Sequence, residues 1–528
     1  MKKIVTLTAF YLCLISIVYS QTWSQLGLGL NDRGKVLLND TVNNKLIVGG
    51  DFTSAGNQIA NFIAAWDGTD WENIGVGFNA PVEALAMYNS ELYAGGSFTM
   101  SGTDTVKYLA KWNGTNWISV GQDVANGNVK FLKSFQGKLY ISGDFSSYGN
   151  ITRKNIIWNG TVFDSIAGFL DGLPSWSGTA ITDIAYYKFK TYYAFGGFLF
   201  SSNGFTYQGI TGPSASFPIR VKKLEVDPNQ NLLYVAGYNT DPNYYSYCAN
   251  VYDGTNFQLN YMFNNEYATN GPINALKIVD NNMYMAGDFY EAAWGVNPSV
   301  DAYNITRYNP ANHTFYAVNY GTDGTIFDIE LYKNSLYATG DFVNAGNSTS
   351  NFISKLGCLI PPTVSLSSFS AVCVTDSALT LGGGSPSGGT YSGPSVNAGL
   401  FNPAAAGIGN HQITYMYTDS LTGCSKSVSK QISVSACGVG IKEQADNERA
   451  IMVFPNPSEN NWNCMIKSNL PVYGMSLSDI TGKVIWTYTI GNNSEKTVVI
   501  PNKDMVSGIY ILKTVMDNTV YIQKLIKP

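Results

Sequence analysis

Charge and histidine are both scarce in this sequence. Lys, Arg, Asp and Glu make up 13% of its 528 residues, and the formal net charge is −5. No run of five or more basic residues occurs in the body of the chain. The clustered Lys and Arg that nucleic-acid binding needs are therefore missing, which argues against that class of partner. Only two histidines are present, His313 and His411, too few for a copper or zinc site of several imidazoles. A Ser-His-Asp arrangement in the first two-thirds of the chain could use only His313, which stands in the polar turn Asn309-Pro310-Ala311-Asn312-His313. Beyond the N-terminus no stretch approaches the ~20 apolar residues that a helix needs to span a bilayer, so no transmembrane anchor is expected.

Aromatic residues, by contrast, make up 13%, with 35 Tyr, and Gly numbers 53. This is the profile of turn-rich β structure. The N-terminus has the pattern of an export signal: Lys2 and Lys3, then the apolar stretch Ile4 to Val18, then Val18-Tyr19-Ser20. Cleavage is expected after Ser20, making residues 1–20 a signal peptide. Six of seven cysteines survive that cleavage: Cys248, Cys358, Cys373, Cys424, Cys437 and Cys464. Export permits disulfides. Four of the six fall within 358–437, where bridges are expected, while Cys248 and Cys464 are expected to be unpaired.

One phrase recurs seven times. Ile47-Val48-Gly49-Gly50-Asp51-Phe52 is followed by versions ending at Phe98, Phe145, Phe198, Tyr238, Phe289 and Phe342. Such self-similarity means one supersecondary unit repeated. In the second copy, Val82 to Met87, Glu91 to Phe98, Tyr108 to Trp112 and Trp117 to Val120 read as four strands. The last two are joined by Asn113-Gly114, a tight-hairpin signal that recurs at Asp67-Gly68, Asn159-Gly160 and Asp253-Gly254, each flanked by aromatics. Four short antiparallel strands per ~40–50 residues describe a propeller blade. The seventh copy stops after its third strand at Leu356, and Thr22-Trp23-Ser24-Gln25-Leu26-Gly27 matches the fourth strand Asn116 to Gly121. The N-terminal strand is therefore expected to complete the seventh blade and pair the two open edges. The paired glycines inside strands are expected where the blades crowd a common axis.

These repeats resemble the kelch and galactose-oxidase-like propellers, and the resemblance covers residues 21–357. It implies a fold more than a function, because propellers host hydrolases, oxidases, lectins and scaffolds. Residues 358–437 open with Pro361-Pro362 and carry Gly388-Gly389-Thr390-Tyr391-Ser392-Gly393 and His411-Gln412-Ile413-Thr414-Tyr415. They resemble the Ig-like and PKD-like spacer modules of exported bacterial proteins. That resemblance implies a Cys373–Cys424 disulfide; Cys358 and Cys437 bracket the module and are expected to form a second bridge. Residues 438–445 read as a polar linker. The final segment, 446–528, contains Phe454-Pro455-Asn456-Pro457, Thr481-Gly482-Lys483 and Gly508-Ile509-Tyr510. By alternation and turns it reads as a small β-sandwich. Its phrases, including Pro455, Asn456, Pro457, Gly482, Lys483, Gly508 and Tyr510, resemble the type A sorting domain of the type IX secretion system. This implies Sec export, passage across the outer membrane, and the secretion machinery as a partner, with the mature protein secreted or held at the outer cell surface.

The expected architecture is thus all-β: a seven-bladed β-propeller, an Ig-like β-sandwich and a small C-terminal sandwich. The recurring acids Asp51, Asp144, Asp288 and Asp341, with Ser97 in one copy, read as a hydrogen bond made in every blade. Calcium ligation and paired catalytic carboxylates are the alternatives, and no other cofactor is implied. The irregular loops of later repeats are the better ligand-binding candidates, and Trp294, Tyr244 and Tyr245 are named as contacts. The expected function is non-enzymatic binding of a surface glycan or protein, as in an adhesin. The alternatives are a carbohydrate-active or other hydrolytic enzyme with carboxylates on the propeller face, and a structural surface component.

Overall fold

The computed structural model describes residues 22–122, 125–166, 180–195, 198–204, 206–210, 219–239, 249–257, 267–294, 299–436, 451–466, 472–489, 497–516 and 519–528. Among these the chain is all-β, with one four-residue helix, Pro403–Ala406. It divides into two compact units. One holds the repeats together with Gly382–Tyr391 and Thr414–Ser429; the other holds Ser368–Leu381, Ser392–Ile413 and Lys430–Pro528.

Among the described residues the repeats form seven antiparallel sheets. Sheet I consists of Gly34–Asp40, Lys45–Gly50, Ile63–Trp66 and Trp71–Asn73. Sheet II consists of Val82–Tyr88, Glu91–Gly96, Leu109–Trp112 and Trp117–Ser119. Sheets III to VI begin at Val129–Phe135, Ile181–Tyr187, Ile219–Asp227 and Ile273–Val279 and follow the same order, sheet V with three strands. Sheet VII combines Ile326–Tyr332, Ser335–Gly340 and Ile353–Cys358 with the N-terminal strand Trp23–Gln25. As the sequence match predicts, Trp23 lies opposite Leu356 and Gln25 opposite Ser354. The first strand of each sheet neighbours that of the next, and the first strand of sheet VII neighbours that of sheet I.

Local chemistry explains the hairpins. Asp67, Asn113, Asn159 and Asp253 each accept backbone N–H bonds from the residues two and three positions on. The glycine that follows each takes a positive φ, 98° at Gly114. The flanking aromatics then face each other across the turn: Trp66 and Trp71 at 5.2 Å, Trp112 and Trp117 at 5.4 Å, Trp158 and Phe163 at 4.4 Å. In sheets I and II the fourth-strand indole also ties the sheet to the preceding one. Trp71 Nε1 donates to the Leu26 carbonyl and Trp117 Nε1 to the Ile74 carbonyl. Short two-stranded ribbons, Ser54–Ala55 with Gln58–Ile59 and Met100–Ser101 with Asp104–Thr105, project between the second and third strands. The sequence reading did not foresee them.

Every one of the seven sheets carries a β-bulge at the start of its first strand. In sheet II, Val82 faces Gly96 and Ala84 faces Gly95, so Glu83 is left over. This is the reason for the paired glycines. A Cβ on Gly96 would stand 2.1 Å from the Pro81 carbonyl of its own sheet, and one on Gly95 would stand 2.5 Å from Val129 of the next. The crowding comes from the strand partner and the neighbouring sheet, a closer cause than the axial taper expected from sequence.

In the second unit, residues 451–528 form a sandwich. Ile451–Phe454, Asn461–Ile466 and Thr497–Pro501 make one sheet; Val472–Asp479, Val484–Tyr488, Gly508–Met516 and Thr519–Lys527 make the other. Trp462, Leu477, Ile500, Leu512 and Leu525 form its core. Between the repeats and this sandwich the longest strands are Gly409–Thr418 and Ser425–Ser435.

The cysteine pairing corrects the expectation. Cys424 is bonded to Cys358, with Cα atoms 5.5 Å apart, and not to Cys373. The turn carrying Cys424 lies beside the end of Ile353–Cys358, its Sγ 4.0 Å from the Lys333 carbonyl. Cys373 instead sits on a short strand running parallel to Val434–Ser435 and is itself disulfide-bonded. Cys248 and Cys437 fall outside the described residues, as do the signal peptide with Ser20 and the linker 438–445. Cys464 is free and buried, and burial pushes its thiol up to about 12.

Candidate functional site

The recurring acids separate into a backbone role and a side-chain role. In five of the seven repeats the backbone N–H donates to the carbonyl just before the first strand: Asp51 to Arg33, Asp144 to Asn128, Asp288 to Pro272, Asp341 to Thr325, and Ser97 to Pro81. That bond needs no carboxylate, which is why serine substitutes. The side chains pair with cations, Asp51 with Lys35 at 2.6 Å, Asp144 with Lys130 at 2.6 Å and Asp341 with Arg33 at 3.3 Å. Lys35 and Lys130 are the residues left over at the bulges.

A second charged group lines the first strands of sheets III to VII: Lys133, Asp183, Lys223, Glu225, Lys277, Asp328 and Glu330. A first strand has an unpaired outer edge, and carboxylates from the neighbouring sheet fill part of it. Asp183 of sheet IV accepts the Leu224 N–H of sheet V at 2.9 Å, and Asp328 of sheet VII accepts the Leu37 N–H of sheet I at 2.9 Å. Lysines neutralise these acids: Lys133 with Asp183 at 2.6 Å, Lys277 with Glu330 at 2.5 Å, and Lys223 with Asp328 at 3.5 Å. Asp328, above all, holds Lys223 above its ordinary pKa. Burial pushes Glu225 upward, partly opposed by Lys277 and by its contact with the Ile278 N–H.

A groove of about 590 Å³ opens between sheets I and II. Its lining includes Asp40, Asn43, Lys45, Glu72, Glu91 and Trp112. Three other sheet junctions carry a cover that this one lacks. In sheets II, IV and VII the first strand ends in a tyrosine that reaches the next sheet: Tyr88 bonds the Gly137 carbonyl, Tyr187 that of Asn231, and Tyr332 that of Asn44. Sheet I ends in Asp40, which turns back onto its own hairpin and accepts from Val42 N, Asn43 N and Asn43 Nδ2. The consequence appears at the Asn/Asp-Gly turns. A Cβ on Gly68 would meet Lys333, on Gly160 Tyr88, and on Gly254 Lys188, whereas at Gly114 nothing stands within 4 Å. The aromatic before that turn is correspondingly uncovered. Trp66, Trp158, Tyr252 and Tyr308 are 1–7% exposed, while Trp112 is only half-buried. Lys45 pairs with Glu72, and Lys111 holds both oxygens of Glu91 at 2.9 and 3.1 Å.

Trp294 ends the strand Glu291–Trp294, opposite Tyr267, and Tyr244 and Tyr245 lie outside the described residues. His313 occupies its expected turn, at φ 52°, with Nδ1 3.0 Å from the Tyr308 hydroxyl. Among the described residues no cluster of three His, Cys, Asp or Glu could hold a metal ion. In the C-terminal sandwich Asn456, between Pro455 and Pro457, accepts from Ile526 N and donates to the Lys524 carbonyl, fastening the segment's start to its last strand. Gly482 takes φ 89° before Lys483 in the Asp479 turn. Gly508 opens the third strand of its sheet, and buried Tyr510 lies 5.9 Å from Trp462. The groove was missed because Trp112 belongs to the regular pattern. The legible signal was Asp40 at the position of Tyr88, Tyr187 and Tyr332.

The family model of the secretion system C-terminal sorting domain matches residues 452–528. That domain marks the chain as exported by type IX secretion, to be secreted or attached to the cell surface. No helix among the described residues is long and apolar enough to cross a membrane. No curated protein matches the chain. Similar solved structures include the computationally designed Ika8 protein, 13% identical, covering 63% of this chain and 99% of that one at a TM-score of 0.36. The WD40 β-propeller domain of Doa1 is 12% identical, covering 63% and 96% at 0.36. The extracellular domain of BT4673 from B. thetaiotaomicron is 11% identical, covering 93% and 74% at 0.23.

Proposed function

We propose that this exported chain is a non-enzymatic binding protein of the cell surface or the medium. In this reading residues 21–357 are a seven-bladed, kelch-like propeller that holds a glycan or protein ligand, residues 358–437 an Ig-like spacer, and residues 446–528 the sorting domain that the type IX machinery recognises. The cyclic order of seven first strands and the pairing of Trp23–Gln25 with Ile353–Cys358 support the propeller. One observation carries the binding reading: the clustered carboxylates are committed to structure. Asp183 and Asp328 bind lysines and buried backbone N–H groups of adjacent sheets. A pair of catalytic carboxylates needs two free, unlike groups about 5–10 Å apart. Trp294, Tyr244 and Tyr245 are proposed as contacts on the ligand face.

Glu225 favours the alternative of a hydrolase, because burial raises its pKa as a general acid requires. The deciding experiment incubates the mature protein with a panel of oligosaccharides, with and without calcium, and measures retention and cleavage together. Retention without cleavage is expected. Cleavage abolished by Glu225→Gln would replace the binding reading with the enzymatic one.

A further inference from the structure

Resting on the binding reading, we infer that the groove between sheets I and II takes a neutral glycan, with Trp112 as its stacking platform. Three features converge there. The volume, about 590 Å³, suits a small ligand or the end of a longer one. The groove lacks the cover found at three other sheet junctions: Asp40 stands where tyrosine closes those, and Gly114 is the uncovered turn. Trp112 is the half-exposed member of an otherwise buried aromatic series.

The chemistry selects the ligand. One part of the Trp112 ring is fixed against Gly75 and beside Trp117, so the indole is rigid and loses little freedom when a ligand lands on it. A pyranose presents an apolar C–H face to such a ring and hydroxyls at its rim. Glu72 and Glu91, each 42% exposed and each oriented by a lysine, offer acceptors to those hydroxyls. Asn43 and Asn113 add amides. Lys45 and Lys111 pair with Glu72 and Glu91, which leaves Asp40 as one negative charge in excess, so uronate-bearing or sulfated glycans are disfavoured and neutral ones are accepted.

The test uses the full mature chain on an array of neutral and acidic glycans, with affinities from calorimetry. Trp112→Ala should weaken binding about tenfold or more, the loss of one aromatic contact. Trp112 also touches the core, so Asn73→Arg is the second variant. Asn73 is exposed at the groove rim, and its arginine occludes the space without touching the core. It should cause a similar loss with unchanged circular dichroism. Tyr303→Ala, an exposed aromatic outside the groove lining, should leave affinity unchanged. Glycan binding that survives both groove variants would overturn the groove assignment and leave the binding reading standing. Binding confined to acidic glycans, or none by the folded protein, would also overturn it. Cleavage of a bound glycan, with retention still dependent on Trp112, would instead overturn the non-enzymatic reading.

Discussion

Asp183 joins three sheets through one carboxylate. From sheet IV it binds Lys133 of sheet III at 2.6 Å and accepts the Leu224 N–H of sheet V at 2.9 Å. Asp183→Ala removes both links. Leu224 is 3% exposed, so its N–H loses its acceptor in a place water does not reach, which costs about 1–3 kcal/mol. Lys133 is 35% exposed and can turn to solvent, so losing its ion pair adds only about 0–1 kcal/mol. The expected destabilisation is roughly 1–4 kcal/mol. Asp183→Asn keeps one acceptor and should cost about half as much, and Lys133→Met, which leaves the buried Asp183 carboxylate without its cation, should cost about 1 kcal/mol or more. Denaturant unfolding of the mature protein gives the ranking. Hydrogen exchange at the Leu224 amide, at least about tenfold faster in the alanine variant, locates the effect. Equal costs for alanine and asparagine, or an unchanged Leu224 amide, would refute the view that these carboxylates cap the unpaired edges of the first strands.

Cys358→Ser should destabilise the repeat unit by about 4 kcal/mol by the chain-entropy estimate for its sequence separation of 66. Reductant, which also opens the bridge of Cys373, should abolish the difference between wild type and variant. Glu225→Gln should stabilise the fold at neutral pH. The folded carboxyl has a raised pKa, so its charged form disfavours folding as pH rises from the ordinary value of 4.5 through the raised one. The gain over wild type should vanish below 4.5, and a gain independent of pH would contradict the assignment. Trp23→Ala should cost about 3–5 kcal/mol, since Trp23 is 4% exposed and anchors the strand that completes sheet VII. Light scattering should also show self-association as the edge of Ile353–Cys358 is exposed.

Much of the fold was legible because it is local and repeated. An Asn-Gly or Asp-Gly turn between aromatics specifies its own hairpin, and seven copies of one phrase specify one unit many times over. Even the long-range pairing of Trp23–Gln25 with Ile353–Cys358 could be read, because the first segment supplies the strand that the last repeat lacks. The sorting phrases were legible for the same reason: Asn456 between two prolines and Gly482 at positive φ meet backbone requirements that other residues meet poorly. What remained hidden depends on what lies across the gap between sheets. That Asp51 pairs with Lys35, that Asp183 caps Leu224, and that Cys424 meets Cys358 and not Cys373 are consequences of bulges and turns that bring distant segments together. Trp112 shows the division most clearly. The sequence by itself determined that a tryptophan would precede the Asn113-Gly114 turn; only the tertiary structure, by setting Asp40 where a covering tyrosine stands elsewhere, decided that this one would face a groove.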